Sequence, residues 1–234
     1  KQVKEVERGR VSDYVERLLG VDAREGGGRL DPLRLAAVLR LIAANQSGEL
    51  VKARIAQEAA LSAASVTGYL DALDRLYLTE DLHPWAVNLT AREIGRRKVR
   101  VGDSGLAAWL CGASVGLLKD VVRGGKVFGA LLEGFVVGEL SAQAGWAEVD
   151  YRLYHYRDRR GLEVDVIIEL GDGRVIAVEV KSAAGLTGRH FAGLTDLKRK
   201  LGDRLAAGVV LAPVDEPMRY AEGLWGLPLN TLWE

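Results

Sequence analysis

Cysteine is almost missing from the 234 residues: Cys111 stands alone. A single thiol excludes an internal disulfide and fits a chain kept in a reducing cytoplasm. Histidine is nearly as scarce, and His83, His155 and His190 are too scattered for a zinc cluster. No apolar run approaches the ~18 residues of a membrane span, and the charged opening from Lys1 to Arg10 lacks a signal-peptide core. No membrane partner is therefore expected. Net charge is absent too: 32 Lys and Arg balance 32 Asp and Glu, so composition gives no support for a strongly nucleic-acid-seeking surface. No G-x-x-x-x-G-K-S/T loop occurs, which rules out a P-loop nucleotide site in this chain.

What is present is a 48% hydrophobic chain, enough for a substantial core. Two domains are expected, over 30–111 and 126–234, after N-terminal helices and a linker over 1–29 whose Gly26-Gly27-Gly28 run reads as flexible. The chain starts at Lys1 on what reads as a helix, so a piece of a longer protein is expected. Asp31-Pro32 supplies a cap and a first-turn proline for a helix through about Ala44, with Leu35, Val38, Leu39 and Ile42 inward. Helices over about 52–59 and from a Ser62 cap to about Leu76 have helix-turn-helix spacing. Short strands over 77–82 and 85–89 around His83-Pro84 would add a wing, making a winged helix.

Base reading needs Arg, Lys, Asn or Gln on the recognition helix. Its outward positions here include Ser62, Ala63, Ala64, Ser65, Thr67 and Gly68, so a protein-packing role stands beside DNA binding. Lys52, Arg54, Ser65 and Thr67 are candidates for nucleic-acid contacts. Beyond the wing, Arg92, Arg96, Arg97, Lys98 and Arg100 form a basic run that could also touch phosphates, and whose plainer reading is a solvated edge. After a strand at 99–101, an Asp103-Ser104 cap opens a helix to about Cys111, and a glycine-rich connection over 112–125 leads to a helix over 126–144. Gly134 and Gly138 on that helix point to a close backbone approach. A strand at 151–157, the hairpin described next, a helix from Thr187 or Gly188 to about Leu201, a strand at 207–211 and an edge strand at 227–232 complete a sandwich around a mixed sheet.

The most informative stretch is G-L-E-V-D-V-I-I-E-L-G-D-G-R-V-I-A-V-E-V-K-S, from Gly161 to Ser182. Strict alternation puts Val164, Val166 and Ile168 on one face and Glu163, Asp165, Ile167 and Glu169 on the other. A three-residue Gly171-Asp172-Gly173 loop pairs Leu170 with Arg174 and keeps apolar faces matched, which a two-residue loop does not. It sets Asp165 across from Glu179 and Glu163 across from Lys181. Opposed carboxylates repel, and a divalent cation held by oxygen ligands would offset that. The plainer alternative is a solvated sheet face with a Glu163–Lys181 pair.

Y-H-Y-R-D-R-R-G-L-E-V-D-V-I-I-E followed by V-I-A-V-E-V-K-S resembles the PD-(D/E)XK superfamily of restriction-endonuclease-like nucleases. More narrowly, L-D-R-L-Y-L-T-E-D-L-H-P-W-A-V-N from Leu73, G-D-S-G-L-A-A-W-L from Gly102 and G-A-L-L-E-G-F-V-V-G-E-L from Gly129 resemble the C-terminal region of prokaryotic AAA-superfamily ATPases. In that family a winged helix precedes the nuclease-like domain. The resemblance implies an ATPase domain ahead of Lys1 as a partner. It places the motif carboxylates at Asp165 and Glu179 and the lysine at Lys181, with Val164 where the superfamily's proline is usually written. It adds Glu163 as an accessory acid and Glu133 as a first-helix carboxylate.

Phosphodiester hydrolysis needs a polarised phosphoryl oxygen, an activated water and stabilised negative charge. Asp165, Glu179 and the Val180 carbonyl, with Glu133, would hold Mg²⁺ or Mn²⁺, and Lys181 would orient the water or neutralise the pentavalent state. Lys198, Arg199 and Lys200 would steer double-stranded DNA. The expectation is a metal-dependent DNA nuclease module, and the alternative is a catalytically inactive module that regulates or targets the ATPase. The sequence leaves the oligomeric state open.

Overall fold

A computed structural model gives the fold. It describes residues 30–233 except 89, 91, 93 and 94, together with 13–15 and 17. The expected N-terminal helices lie mostly outside the described residues; 13–15 and 17 are helical, and Val15 is buried in the first core cluster.

The first part of the chain is helical and carries a small sheet. Helix α1 spans Pro32–Ala44, its N-terminus closed by Asp31, whose Oδ1 accepts the Leu33 N–H at 2.9 Å. Leu35, Val38, Leu39 and Ile42 recur at helical spacing and are buried. Strand β1, Gly48–Glu49, leads to α2, Lys52–Glu58, and α3, Ala63–Arg75, which Ser62 caps by accepting the Ser65 N–H. Strands β2, Thr79–Leu82, and β3, Lys98–Val101, complete an antiparallel sheet of order β1-β3-β2. The strand that pairs with β2 is thus β3 rather than 85–89. Pro84 makes only an isolated bridge to His155, and Trp85 is drawn into the core of the larger sheet.

Helix α4, Ser104–Leu110, starts at its Asp103 cap as expected. The supposed glycine-rich connection instead forms α5, Val115–Lys119, and the first turn of α6, Val121–Gln143. Two caps the sequence reading passed over explain this. Ser114 accepts the Leu117 N–H, and Asp120 accepts those of Val122 and Arg123. Gly124 lets the helices meet, since a Cβ there would stand 2.0 Å from the Leu117 carbonyl oxygen.

The rest of the chain builds a six-stranded mixed sheet of order β4-β5-β6-β7-β9-β8. Its strands are β4 Tyr151–Arg157, β5 Glu163–Leu170, β6 Val175–Val180, β7 Leu205–Ala212, β8 Met218–Ala221 and β9 Leu224–Pro228. Strand β6 runs parallel to β7, and β7 parallel to β9. The last strand is therefore internal, with β8 outside it; residues Leu229–Trp233 form a 3₁₀ turn instead of continuing an edge. A 3₁₀ turn at Gly188–Phe191 runs into α7, Ala192–Leu201.

Two helices cover the two faces. Leu132, Val136, Val137 and Leu140 of α6 pack on Val166, Val178 and Val180. Phe191 with Leu194 and Leu197 of α7 packs on Val164, Ile167, Val175 and Ala177. Leu82 joins the first cluster and Trp85 the second, so the segment after β2 is clamped against the sheet. The close approach expected at Gly134 and Gly138 comes from side chains of the helical part rather than from backbone. An added Cβ at Gly134 would stand 2.6 Å from Gln46 Nε2, and one at Gly138 3.2 Å from Arg100 Nη1.

Candidate acidic site between the sheet and the helical part

The hairpin turn is the three-residue loop that the face-matching argument requires. Leu170 N–H donates to Arg174 O at 2.8 Å, and Gly173 sits at φ +82°, a region that favours glycine. The formed pairs run on the expected register, from Glu169↔Val175 to Val166↔Val178, and stop one step short of Asp165 and Glu179. A bulge intervenes. Tyr154 pairs with Ile167 and Tyr156 with Val164, so Asp165 and Val166 together oppose His155 alone. The bulge breaks strict alternation and sends Val164 to the α7 side while Val166 stays on the α6 side. The face assignment that grouped Val164 with Val166 is corrected accordingly.

Asp165 then reaches across the hairpin. Its Oδ2 accepts the Val180 N–H at 2.8 Å, which puts the carboxylate beside Glu179 and Val180. Lys181 Nζ lies 2.5 Å from Glu179 Oε1. Glu163 was expected opposite Lys181, but its partners are Lys98 and Arg157, because the strands part beyond the bulge. Glu133, from α6, joins the same cluster.

The residue at its centre is Lys98 of β3, which the basic-run reading had placed on a solvated, phosphate-facing edge. Its side chain is only 5% exposed. Nζ lies 2.8 Å from Glu133 Oε1, 2.8 Å from Glu163 Oε1 and 3.9 Å from Asp165 Oδ1. Arg92 and Arg100 of the same run are buried as well. Arg92 forms a bidentate pair with Glu169, 2.6 Å on each arm, under cation–π contact with Tyr154; Arg100 pairs with Glu80. A signal for this was present in sequence. Lys98 and Arg100 alternate with Val99 and Val101, so both cations share one strand face, and the acidic surplus of the hairpin offers Lys98 partners.

Burial dominates the electrostatics. It pushes Glu133 up to about 8, with the Asp165 charge adding to the rise. It pushes Glu179 up to about 7, again with help from Asp165, and raises Asp165 itself. Burial works against the Lys181 charge, yet Glu179 and Asp165 outweigh it and hold that ammonium above its usual range. Burial would raise Glu163, but Lys98 overrides it and keeps the carboxyl low. Glu133, Glu163, Asp165 and Glu179 face Lys98 and Lys181, and Arg157 divides itself between Glu163 and Glu49.

This donor set is made of carboxylate oxygens, the ligand type of a hard cation. The buried Oε2 of Glu179 has no hydrogen-bond partner, which fits an oxygen available for ligation. The arrangement is not closed around an ion, however. Among the described residues no group of three or more His, Cys, Asp or Glu side chains could hold a metal, and an ammonium fills the space between Glu133, Glu163 and Asp165.

The remaining basic candidates are largely engaged. Lys52 donates to Thr67 Oγ1 at 3.1 Å, Arg54 pairs with Glu58 at 2.7 Å, and Ser65 meets Ser62. Arg96 lies 3.6 Å from Glu49 and Arg97 2.5 Å from Asp81. Lys198 donates to the Glu222 carbonyl, Arg199 pairs with Asp196, and Lys200 with Asp158. Among the described residues no helix is long and apolar enough to cross a membrane.

Comparison with known proteins covers the two parts separately. Residues 128–232 match a family described as a domain of unknown function (DUF4143), and residues 1–116 match another domain of unknown function (DUF8612). Two proteins described as uncharacterized, from Mycobacterium bovis and Mycobacterium tuberculosis, are each 28% identical over 188 residues, covering 79% of this chain and 41% of theirs. The chain thus spans about two fifths of the length of these relatives. Among solved structures, a Staphylococcus aureus MepR mutant bound to an oligodeoxyribonucleotide aligns at 15% identity and TM-score 0.25, over 59% of this chain and 80% of that one. A Thermococcus gammatolerans assembly of McrB AAA+ hexamers with McrC aligns at 10% identity and TM-score 0.31, over 82% and 70%.

Proposed function

We propose that the six-stranded part is a PD-(D/E)XK-type, metal-dependent phosphodiesterase acting on DNA, and that the helical part is a winged helix that brings the substrate to it. In the longer protein an AAA-type ATPase domain would drive or regulate the module. The observation that carries this reading is the meeting of Asp165, Glu179 and Lys181: a carboxylate bonded to the Val180 N–H, a second with a partnerless buried oxygen, and an ammonium 2.5 Å from it. Bound Mg²⁺ or Mn²⁺ would polarise the phosphoryl oxygen and lower the pKa of a water. Asp165, Glu179 and the Val180 carbonyl would hold the ion. Lys181 would orient the attacking water and offset the negative charge that builds at phosphorus.

Purified protein should nick supercoiled plasmid in Mn²⁺ or Mg²⁺, and Asp165→Ala and Lys181→Ala should each lower the rate at least ~100-fold, the size of loss typical of removing a transition-state contact. Equal cleavage by those variants would sink the proposal.

A second reading is a catalytically inactive module that binds the ATPase or DNA. It is favoured by the ammonium of Lys98 standing among the carboxylates and by the pairing of most basic candidates. It predicts no cleavage under any metal.

A further inference from the structure

We propose that the two ends of α6 are complementary halves of a contact between copies of this chain. The basic, apolar corner where α5 turns into α6 docks on the acidic, apolar loop that follows α6 in a second copy.

Charge is sorted along this segment. From Ser104 to Leu132 the only charged residues are Lys119, Asp120, Arg123 and Lys126. The three cations are exposed, whereas Asp120 accepts the Val122 and Arg123 N–H groups as the cap of α6. Lys119 and Lys126 meet no acid among the described residues, and Arg123 stands 3.8 Å from Asp120 with its side chain almost wholly in solvent. From Gly134 to Tyr151 the order reverses: no lysine or arginine occurs, and Glu139, Glu148 and Asp150 supply the charge. Glu139 accepts the Trp233 Nε1–H at 2.8 Å. Glu148 and Asp150 are exposed and unpaired among the described residues. The next cation, Arg152, stands opposite Glu169 in the β4–β5 pairing.

The helix itself gives no reason for this sorting. A helix N-terminus carries partial positive charge and its C-terminus partial negative charge, so cations at the start and anions past the end both stand against the macrodipole. With 23 residues, α6 is roughly 34 Å long, several Debye lengths, so its two charged ends do not neutralise each other within one chain.

Each end also presents apolar surface. At the basic corner Val122 is 94% and Val115 63% exposed; in the acidic loop Trp146 is 73% and Val149 59% exposed. The Gln143 amide donates to the Leu232 carbonyl at 2.6 Å, which brings the exposed ring of Trp233 to the acidic end. An apolar centre ringed by charge is the composition of a protein interface, with tryptophan a common anchor. Each end repels its own kind and attracts the other, so the occupant that fits both is a second copy. Because the two surfaces differ, the contact is head-to-tail rather than two-fold, and each copy keeps a free end for the next.

The test is sedimentation velocity of the 234-residue chain over a concentration series in low and high salt. Assembly should appear with rising protein concentration in low salt and weaken about tenfold in high salt. Lys119→Glu with Arg123→Glu reverses the basic end, and Glu148→Lys with Asp150→Lys reverses the acidic end. Each double variant alone should stay monomeric, and an equimolar mixture of the two should assemble again, because each then meets its complement. Trp146→Ser, which leaves every charge in place, should loosen assembly about tenfold. A chain that is monomeric at every concentration overturns the proposal, as does assembly that survives either reversal or is unchanged in Trp146→Ser. A mixture that stays monomeric, while both double variants keep the circular dichroism of the unaltered protein, overturns it too.

Discussion

His155 is 1% exposed, in the strand that faces the bulge. Its Nε2–H donates to the Arg96 carbonyl at 3.0 Å, and Nδ1 has no partner. Burial, reinforced by the Lys98 charge, lowers its pKa to about 4, while Glu163 and Glu49 act in the opposite direction. The folded state keeps the imidazole neutral, whereas an unfolded chain takes up a proton below about 6.5. The stability this contributes is present above pH 6.5 and lost as pH falls from 6.5 to 4, in total roughly 3 kcal/mol. The raised carboxylates Glu133 and Glu179 titrate with the opposite sign, so a variant is needed to isolate the imidazole. Denaturant melts of the unaltered protein and His155→Phe at pH 7.5 and 5 should show the variant losing less stability on acidification. An equal loss would mean that His155 titrates normally in the fold.

At the scale of elements, the segment between β2 and β3 is held to the large sheet by backbone hydrogen bonds of His83 and Trp85 with His155 and by a side-chain staple at Arg92. Arg92 meets both carboxylate oxygens of Glu169, also donates to the Ala86 carbonyl at 2.6 Å, and lies between Tyr154 and Trp85. Trp85 Nε1–H adds a bond to Glu169 at 2.9 Å. Arg92→Ala leaves a mostly buried carboxylate with Trp85 as its remaining donor, and should cost about 3–5 kcal/mol in urea unfolding, the range for breaking such a pair from one side. A loss under 1 kcal/mol would show that the Arg92 pair contributes little to holding the segment. Local chemistry made several neighbouring elements readable from sequence. Asp31-Pro32, Ser62 and Asp103 announce α1, α3 and α4 because capping depends on residues a turn apart. The Gly171-Asp172-Gly173 turn is readable for the same reason. The bulge at Asp165 is not, since it exists only in the pairing of β5 with β4, and hairpin alternation carries no trace of it.

Across the whole molecule, the site is assembled from segments far apart in the chain: β3, α6, β5 and the end of β6. Hairpin spacing put Asp165, Glu179 and Lys181 close together, because pairing across a short turn is local, whereas Glu133 came only from the family resemblance. Sequence pattern misplaced Lys98, because a cation's partner can lie anywhere in the fold, and a basic run beyond a wing looks the same whether it faces solvent or a buried acid. The helical part and the large sheet share this cluster and the Arg92 staple, so a change in their relative position alters both. The most direct test of the central claim, that Asp165 and Glu179 share a divalent ion, is anomalous diffraction from crystals grown with Mn²⁺. The expected result is one Mn²⁺ peak bridging Asp165 and Glu179. Saturating Mn²⁺ with no peak there would contradict it.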